Sequence, residues 1–372
     1  MAAFAYLDHN ATSPLRPVAL EAMTEALRQG GNPSSVHAVG RKARAIVENA
    51  RREVAALAGA LPAEIVFTSG GTEANNMAIA GAGRTRVLVS AIEHDSVLNA
   101  APDVERIPVD ANGVVDLAGL ARLLTLSDEP ALVSVMLANN ETGVVQPVAD
   151  VASLARRAGA LVHCDAVQAA GKVPLDVHGL GIDYLSLSAH KLGGPTGVGA
   201  LFVRSGVPLA GDRRGGGQEA RRRAGTENVS GIAGFGAAAT EASVGLPVGA
   251  LRDRLEAALI DTACRAKIFG SAAPRLPNTT CISMPGVKAE TQVIALDLAG
   301  VCVSAGAACS SGKVQRSTVL SAMGVEEAVA ATAIRISLGW NSRAEEIERL
   351  IAAWRDLYIR VAQSDMPRAR AA

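Results

Sequence analysis

Aromatic residues make up only 3% of this 372-residue chain. This scarcity disfavours a surface for single-stranded nucleic acid, because such surfaces stack bases on aromatic rings. Net charge is also lacking: 36 basic residues balance 36 acidic ones, so nothing attracts the chain to nucleic acid or to an anionic membrane. Apolar runs stay shorter than the roughly 18 residues of a membrane helix. We therefore expect a protein that binds neither nucleic acid nor a membrane.

Cysteine is sparse too. The five cysteines form no C-x-x-C pair and no four-ligand spacing of the kind that binds zinc. Their odd number and scatter are typical of reduced thiols, and no signal peptide is expected, so we predict a cytoplasmic protein. Cys164, Cys281 and Cys302 lie in strand-like runs and Cys264 between a helix-like and a strand-like stretch, so all four are expected to be buried and inert.

Helix-like and strand-like patterns alternate along much of the chain. The helix-like segments include 17–28, 39–57 and 148–158, and near-continuous apolar runs occupy 64–68, 87–90, 131–136, 161–164, 183–188 and 199–203. Apolar strands separated by helices are typical of parallel sheets that are covered on both faces. The pattern therefore predicts an α/β fold with a mostly parallel central sheet and helices on both faces.

The pattern changes near residue 248. Shorter stretches follow, including strand-like runs at 281–284 and 301–303, and they predict a smaller α/β domain. We expect a large domain over residues 12–247 and a small domain formed by residues 1–11 and 248–372. Residues 366–372 are expected to form a frayed tail.

A lysine and an aspartate follow two of the strand-like runs. Lys191 comes just after the run at 183–188, and Asp165 ends another run twenty-six residues earlier. That separation suits one strand–helix–strand crossover, which would bring both side chains to the same edge of the sheet. A lysine there can form a Schiff base with an aldehyde, and a carboxylate can keep a pyridine nitrogen protonated. The two residues predict a pyridoxal-phosphate enzyme.

Further polar groups come at other strand ends. The glycine turn that contains Gly71 and Thr72 suits a phosphate, although an ordinary helix N-cap has the same pattern. His94 could stack on a cofactor ring or be a loop histidine, and Asn140 could contact the cofactor or belong to an Asn-rich turn. Gln168 would lie near the same place. Taken together, these groups at successive strand ends indicate a binding site.

Two residues of the predicted small domain carry chemistry. Cys309 lies among small residues between Gly306 and Gly312, which predicts a mobile loop that could carry a sulfur atom. Its neighbours supply no apolar bulk to bury it. Arg335 alternates with apolar residues on a predicted strand, so it either captures a carboxylate in bidentate fashion or forms a structural ion pair.

An ordered set of motifs resembles one family. The motifs are 6–12 (YLDHNAT), 31–37 (GNPSSVH), 68–76 (TSGGTEANN), Glu93-His94, 139–143 (NNETG), 163–168 (HCDAVQ), 188–191 (SAHK), 223–228 (RAGTEN), the Cys309 segment and the Arg335 strand. From about residue 6 to about residue 355 the chain closely resembles the cysteine desulfurases of the class V aminotransferase fold, which supply sulfur for iron–sulfur clusters. The resemblance implies the fold of a fold type I transferase that depends on pyridoxal 5'-phosphate.

The resemblance also implies how the cofactor is held. Lys191 would tether pyridoxal phosphate, Asp165 would pair with its ring nitrogen, and His94 would stack on the ring and move protons. Residues expected to hold the phosphate share hydroxyl, imidazole or backbone N–H donors: Gly71, Thr72, Ser188, His190 and, from the partner subunit of a homodimer, Thr226. The arginines near Thr226 (213, 214 and 221–223) are expected to be solvated loop charges.

On the substrate side, the resemblance implies that Arg335 binds the carboxylate of L-cysteine. Asn140 and Gln168 would contact that carboxylate or the phenolic oxygen of the cofactor. Cys309 would accept the sulfur as a persulfide and pass it to a second thiol or to an iron–sulfur scaffold protein. No resident metal is implied, and any contact of an iron–sulfur cluster with Cys309 would be transient.

Two alanines depart from the family's pattern, and three other functions stay open. Ala305 and Ala307 replace serines before the cysteine, which changes the hydrogen bonding available to that segment. A selenocysteine lyase or another class V aminotransferase would share the cofactor residues, and an aminotransferase would not need Cys309. A catalytically silent scaffold for cluster assembly would bind no cofactor, which Lys191 and Asp165 argue against.

Overall fold

The computed structural model describes residues 4–211, 213–305 and 316–364. Cys309 and the predicted tail at 366–372 therefore lie outside the described residues. In the part of the chain that is described, no helix combines the length and the apolar character needed to cross a bilayer.

The elements follow the predicted alternation closely. The strands are β1 (Ala5–Tyr6), β2 (Ile65–Thr68), β3 (Arg86–Ser90), β4 (Val104–Ile107), β5 (Ala131–Ser134), β6 (Leu161–Asp165), β7 (Tyr184–Ser188), β8 (Gly199–Val203), β9 (Thr279–Ser283), β10 (Val301–Cys302), β11 (Ser304–Ala305) and β12 (Ala333–Ser337). The helices are α1 (Pro17–Gln29), α2 (Ala38–Ala58), α3 (Gly71–Gly81), α4 (Asp95–Leu98), α5 (Leu117–Thr125), α6 (Val148–Arg157), α7 (Val177–Leu180), α8 (Val229–Ala242), α9 (Gly249–Thr262), α10 (Ala289–Leu298), α11 (Thr318–Ala322), α12 (Glu327–Ala330) and α13 (Ala344–Ser364).

A seven-stranded sheet forms the centre of the molecule, in the order β2-β8-β7-β6-β5-β3-β4. Neighbouring strands from β7 to β4 are all parallel, and β8 is antiparallel to both β7 and β2. The predicted mostly parallel sheet is confirmed. Parallel strands are usually buried on both faces, and accordingly every residue of β2, β3, β5, β7 and β8 is buried.

Two hydrophobic clusters cover the faces of this sheet. One includes residues from α2, α6 and α8, and the other includes residues from α3. Helices thus lie on both faces, as predicted. Because all but one of the strands run the same way, their carboxyl ends form a single edge, and the loops that leave that edge carry the predicted site residues.

A three-stranded sheet in the order β11-β12-β9 and a two-stranded sheet of β1 and β10 form a second layer. The cluster that packs against them takes its residues from Ala5, Leu7 and the stretch between Val248 and Leu357, with Trp354 fully buried. The division of the chain into residues 12–247 and residues 1–11 with 248–372 stays a prediction.

The sequence predictions were wrong or incomplete for strand β4 and for two cysteines, Cys264 and Cys302. Strand β4 was not predicted, because it is an edge strand whose middle residues are Glu105 and Arg106 and only Ile107 is buried. Cys264 was predicted to be buried but is exposed, because it follows the end of α9 rather than lying inside an element. Cys164 and Cys281 are buried, as predicted, and Cys302 is half-buried.

Candidate active site

A cavity of about 500 Å³ opens at the carboxyl edge of the central sheet. Its lining includes the predicted residues Gly71, Thr72, His94, Asn140, Asp165, Gln168, Ser188, His190, Lys191 and Arg335. Volumes of this size are typical of cofactor and small-substrate sites. The cavity thus brings together residues that are up to 325 positions apart in the chain, from Asn10 to Arg335.

Lys191 follows β7 and lies at the end of a short turn of 3₁₀ helix, Ala189–Lys191. Its Nζ donates hydrogen bonds to the backbone oxygens of Asn10, at 2.6 Å, and Ala11, at 2.7 Å. Burial, together with the nearby charge of Arg335, lowers the pKa of Lys191 to about 8. A lysine with this pKa is partly neutral near physiological pH, which is the form that attacks an aldehyde.

Asp165 ends β6, the strand next to β7, and pairs in register with Ser186. Its carboxylate accepts hydrogen bonds from Asn75 Nδ2 at 2.7 Å and from the backbone N–H of Val167 at 2.9 Å. Sequence reasoning missed Asn75, although it lies within the glycine-turn motif. Asp165 is buried and its carboxyl group lines the cavity, so it can stabilise a protonated ring nitrogen placed there.

The N-terminus of α3 faces the cavity and has no side-chain cap. An uncapped helix start offers free backbone N–H groups and the positive end of the helix dipole, which together bind phosphate. Gly71 is required here by packing, because a Cβ at this position would lie 2.8 Å from Val167 Cγ2. Thr72, Ser188 and His190 line the cavity with this helix start and add hydroxyl and imidazole groups.

His94 caps the short helix α4. Its Nδ1 accepts a hydrogen bond from the backbone N–H of Ser96 at 3.1 Å and lies 2.8 Å from the Ser96 hydroxyl. The Ser96 hydroxyl also accepts from Asn75 Nδ2 at 2.8 Å, so one chain of contacts links His94 to Asp165. Because Nδ1 is occupied in this way, Nε2 is the ring nitrogen left to carry a proton.

Arg335 lies on β12 and is buried, 4% exposed. Its Nη2 donates to Asp8 at 2.8 Å and its Nη1 to the backbone oxygen of Asn140 at 3.2 Å. Its Nε is buried and has no hydrogen-bond partner within the described ranges. Arg335 thus forms an ion pair with Asp8, and its capture of a substrate carboxylate stays a prediction.

Asn10 and Lys172 form a polar cluster behind Lys191 that the sequence did not reveal. Asn10 donates from Nδ2 to Thr279 Oγ1 at 2.9 Å and to the backbone oxygen of Asn140 at 3.2 Å. Lys172 donates to Asn10 Oδ1 and to Gln168 Oε1, both at 2.9 Å. No local pattern in the sequence identifies Lys172, because its partner Asn10 lies 162 positions away in the chain.

Two buried carboxyl groups flank the site. Burial raises the pKa of Glu93 to about 8, although the hydroxyl of Ser90 and the backbone N–H of Met136 donate to it. Burial likewise raises the pKa of Glu141 to about 7. Both therefore hold protons more strongly than exposed glutamates do.

Thr226 is exposed and does not line this cavity, and Cys309 lies outside the described residues. The arginines near Thr226 were expected to be solvated, but two of them form ion pairs. Arg213 and Arg223 pair with Glu73 at 3.2 Å and 2.9 Å, and Arg223 is only 17% exposed at its side chain. These ion pairs tie the segment that carries Thr226 to helix α3.

The described residues fit pyridoxal phosphate. The uncapped start of α3 suits its phosphate, the carboxylate of Asp165 suits its ring nitrogen, and the amine of Lys191 has the lowered pKa needed to bond its aldehyde. All three groups line one cavity of suitable volume.

Comparison with known proteins agrees with this chemistry. The family model described as aminotransferase class-V matches residues 5–350. A cysteine desulfurase of Cereibacter sphaeroides is 48% identical over 93% of each chain, and one of Klebsiella pneumoniae is 42% identical over 93% of this chain and 91% of its own. Among solved structures, a NifS-like protein from Rickettsia africae superposes with a TM-score of 0.88 at 36% identity and covers 96% of this chain and 99% of its own. A structure titled SspA in complex with cysteine covers 90% of this chain and 98% of its own, with a TM-score of 0.78 and 32% identity. This chain belongs to the class-V aminotransferase family, whose enzymes depend on pyridoxal phosphate.

Proposed function

We propose that this protein is a cysteine desulfurase, which converts L-cysteine into L-alanine and leaves the sulfur on Cys309 as a persulfide. The observation that carries the proposal is the placement of the Lys191 amine, the Asp165 carboxylate and the Arg335 guanidinium around one cavity. Relatives of similar length that are named cysteine desulfurases support it.

Arg335, Lys191 and His94 each have a part in the proposed reaction. The unused donors of Arg335 bind the substrate carboxylate and so orient the amino acid. Pyridoxal phosphate, when bound, supplies an electron sink for negative charge at the substrate Cα. The Lys191 amine, when it is not bonded to the cofactor, would remove the Cα proton and later return one.

The sulfur step balances as a nucleophilic displacement. The Cys309 thiolate attacks the Sγ atom of the bound cysteine, so an S–S bond forms and the substrate Cβ–Sγ bond breaks. The electron pair of that bond stays on the carbon skeleton, which takes up a proton to become alanine. His94 Nε2 is a suitable proton carrier, because its Nδ1 is held by Ser96.

The experiment measures alanine and sulfide formed from L-cysteine in the presence of a reducing thiol. Cys309→Ala should abolish both products while the bound cofactor keeps its visible absorbance, and Lys191→Ala should lose that absorbance. Cys264→Ala is the matched control, because Cys264 is exposed and lies away from the cavity, and it should retain full activity. Unchanged turnover by Cys309→Ala would refute the persulfide route.

The same experiment separates the alternatives. A selenocysteine lyase would release product from L-selenocysteine much faster than from L-cysteine. An aminotransferase would be insensitive to Cys309→Ala, and a silent scaffold would show no cofactor absorbance at all.

We propose that the active form is a homodimer in which Thr226 completes the phosphate site of the partner subunit. Its exposure, away from the cavity of its own chain, supports this arrangement. Mixing inactive Lys191→Ala and Thr226→Ala chains should restore activity, because a heterodimer then contains one site with both residues. No recovery after subunit exchange would contradict a shared site.

We further propose that the protein works in the cytoplasm and passes its sulfur to an iron–sulfur scaffold or to another acceptor thiol. The scatter of the cysteines supports a reducing compartment, since no paired spacing is present in the sequence. Transfer of ³⁵S from the labelled enzyme to a purified scaffold tests the second part. Retention of the label on the enzyme would contradict it.

A further inference from the structure

Lys172 is a buried lysine that the proposed reaction does not use. It is 8% exposed and lies in the turns that follow β6, seven residues after Asp165. It does not line the main cavity but shares a second, much smaller one of about 20 Å³ with Lys191. A buried lysine is costly to a fold, so its contacts call for a functional explanation.

The described partners of Lys172 are two neutral amide oxygens. Its Nζ donates to Gln168 Oε1 and to Asn10 Oδ1, each at 2.9 Å. Burial lowers its pKa well below the usual value, and the charge of Lys191 lowers it further.

These contacts fix the orientation of the Gln168 amide. The Nζ of Lys172 donates to the amide oxygen, so this oxygen faces Lys172. The amide nitrogen of Gln168 then faces the opposite way and donates to the backbone oxygen of Asn10 at 2.9 Å. Gln168 also lines the main cavity, so its remaining N–H is available to a ligand there.

The same contacts fix the position of Asn10. Its side-chain oxygen accepts from Lys172 and from Asn278 Nδ2, the latter at 3.1 Å. Its backbone oxygen accepts from Gln168 and from Lys191 Nζ, the latter at 2.6 Å. Lys172 is therefore two hydrogen bonds away from the Lys191 amine through Asn10 and three through Gln168.

We propose that Lys172 is a positioning residue: it holds the Gln168 amide with its N–H toward the cofactor and holds the Asn10 carbonyl where the free Lys191 amine rests. Without Lys172 the amide of Gln168 can turn over and present oxygen to an oxygen of the ligand, which repels it. This inference rests on the proposed cofactor-binding roles of Lys191 and Gln168.

The test measures the dissociation constant of pyridoxal 5'-phosphate by adding it to cofactor-free protein and following absorbance. Lys172→Met keeps the length of the side chain and removes its donors, and it should raise the constant about tenfold, as expected for the loss of one oriented hydrogen bond. Gln168→Ala should raise it at least as much. The double variant should raise the constant by less than the product of the two single effects, because Lys172 acts in part through Gln168.

A spectroscopic readout separates positioning from simple destabilisation. The pH midpoint of the bound cofactor's absorbance should shift in Lys172→Met, because the resting place of the Lys191 amine has changed. Lys267→Met is the matched control: Lys267 is exposed, and its removal should change neither readout. Gln168→Glu carries only acceptors, so it should weaken binding even where Lys172→Met does not fold.

Three outcomes would overturn the inference. The first is that the effects of Lys172→Met and Gln168→Ala on the dissociation constant multiply. The second is that Lys172→Met melts at a lower temperature but keeps the wild-type dissociation constant and pH midpoint. The third is that Gln168→Glu binds the cofactor as tightly as the wild type. Failure of the proposed function would look different, since Lys191→Ala would then leave the cofactor's absorbance unchanged.

Discussion

Arg335 offers the sharpest test of how the substrate is recognised. Of the five N–H groups of its guanidinium, one is given to Asp8 and one to the backbone oxygen of Asn140. The Nε hydrogen has no described partner. A substrate carboxylate can therefore take two of the remaining donors in the forked geometry that lysine cannot offer.

The expected loss follows from these two hydrogen bonds. Hydrogen bonds to charged groups contribute about 1.5–3 kcal/mol each. Arg335→Lys keeps the charge and its pairing with Asp8 but loses the two parallel N–H donors. We therefore expect a loss of about 3 kcal/mol of transition-state stabilisation, which lowers kcat/KM for L-cysteine roughly 100-fold.

The assay compares L-cysteine with cysteamine, which carries the same thiol and amine but no carboxylate. Arg335→Lys should lower kcat/KM for L-cysteine alone, so that the variant loses its preference between the two. Arg275→Lys is the control, because Arg275 is buried in an ion pair with Glu256 and does not line the cavity. An equal decrease for both substrates would refute carboxylate recognition by Arg335.

Three further predictions concern pH and stability. The pKa of Lys191 is lowered to about 8 from 10.5, so covalent attachment of added pyridoxal phosphate, followed by stopped-flow absorbance, should speed up through pH 8 and then level off; a midpoint near 10.5 would contradict this. The pKa of Glu141 is raised from 4.5 to about 7, so its contribution to the free energy of unfolding is full below pH 4.5 and is lost as pH rises through 7. In urea unfolding, Glu141→Gln should remove about 3 kcal/mol of that pH dependence, and an unchanged slope would disprove the shift. Glu219 forms a buried ion pair with Arg51 at 2.7 Å, so Glu219→Ala should lower the free energy of unfolding by about 3–5 kcal/mol. Glu348→Ala breaks an exposed ion pair and should lower it by less than about 1 kcal/mol. Equal losses in the two variants would show that burial does not decide the strength of these pairs.

The sequence alone predicted the central sheet and most of its elements well. Short apolar runs such as those of β3 and β5, which contain β-branched valine, predicted buried strands. Edge strand β4 was not predicted, because one side of an edge strand meets solvent and tolerates charged residues. The exposure of Cys264 was not predicted either, because its surroundings depend on where a helix ends.

The sequence also determined which chemical groups stand at the strand ends, because a parallel strand order brings those ends to one edge. Lys191, Asp165 and the turn at Gly71 could be named for this reason. Only the tertiary structure decided their partners. Hydrogen bonds such as those of Arg335 with Asp8 and of Lys172 with Asn10 join residues that are 327 and 162 positions apart. Such pairings depend on how two separately packed layers meet, and no local pattern in the chain records that.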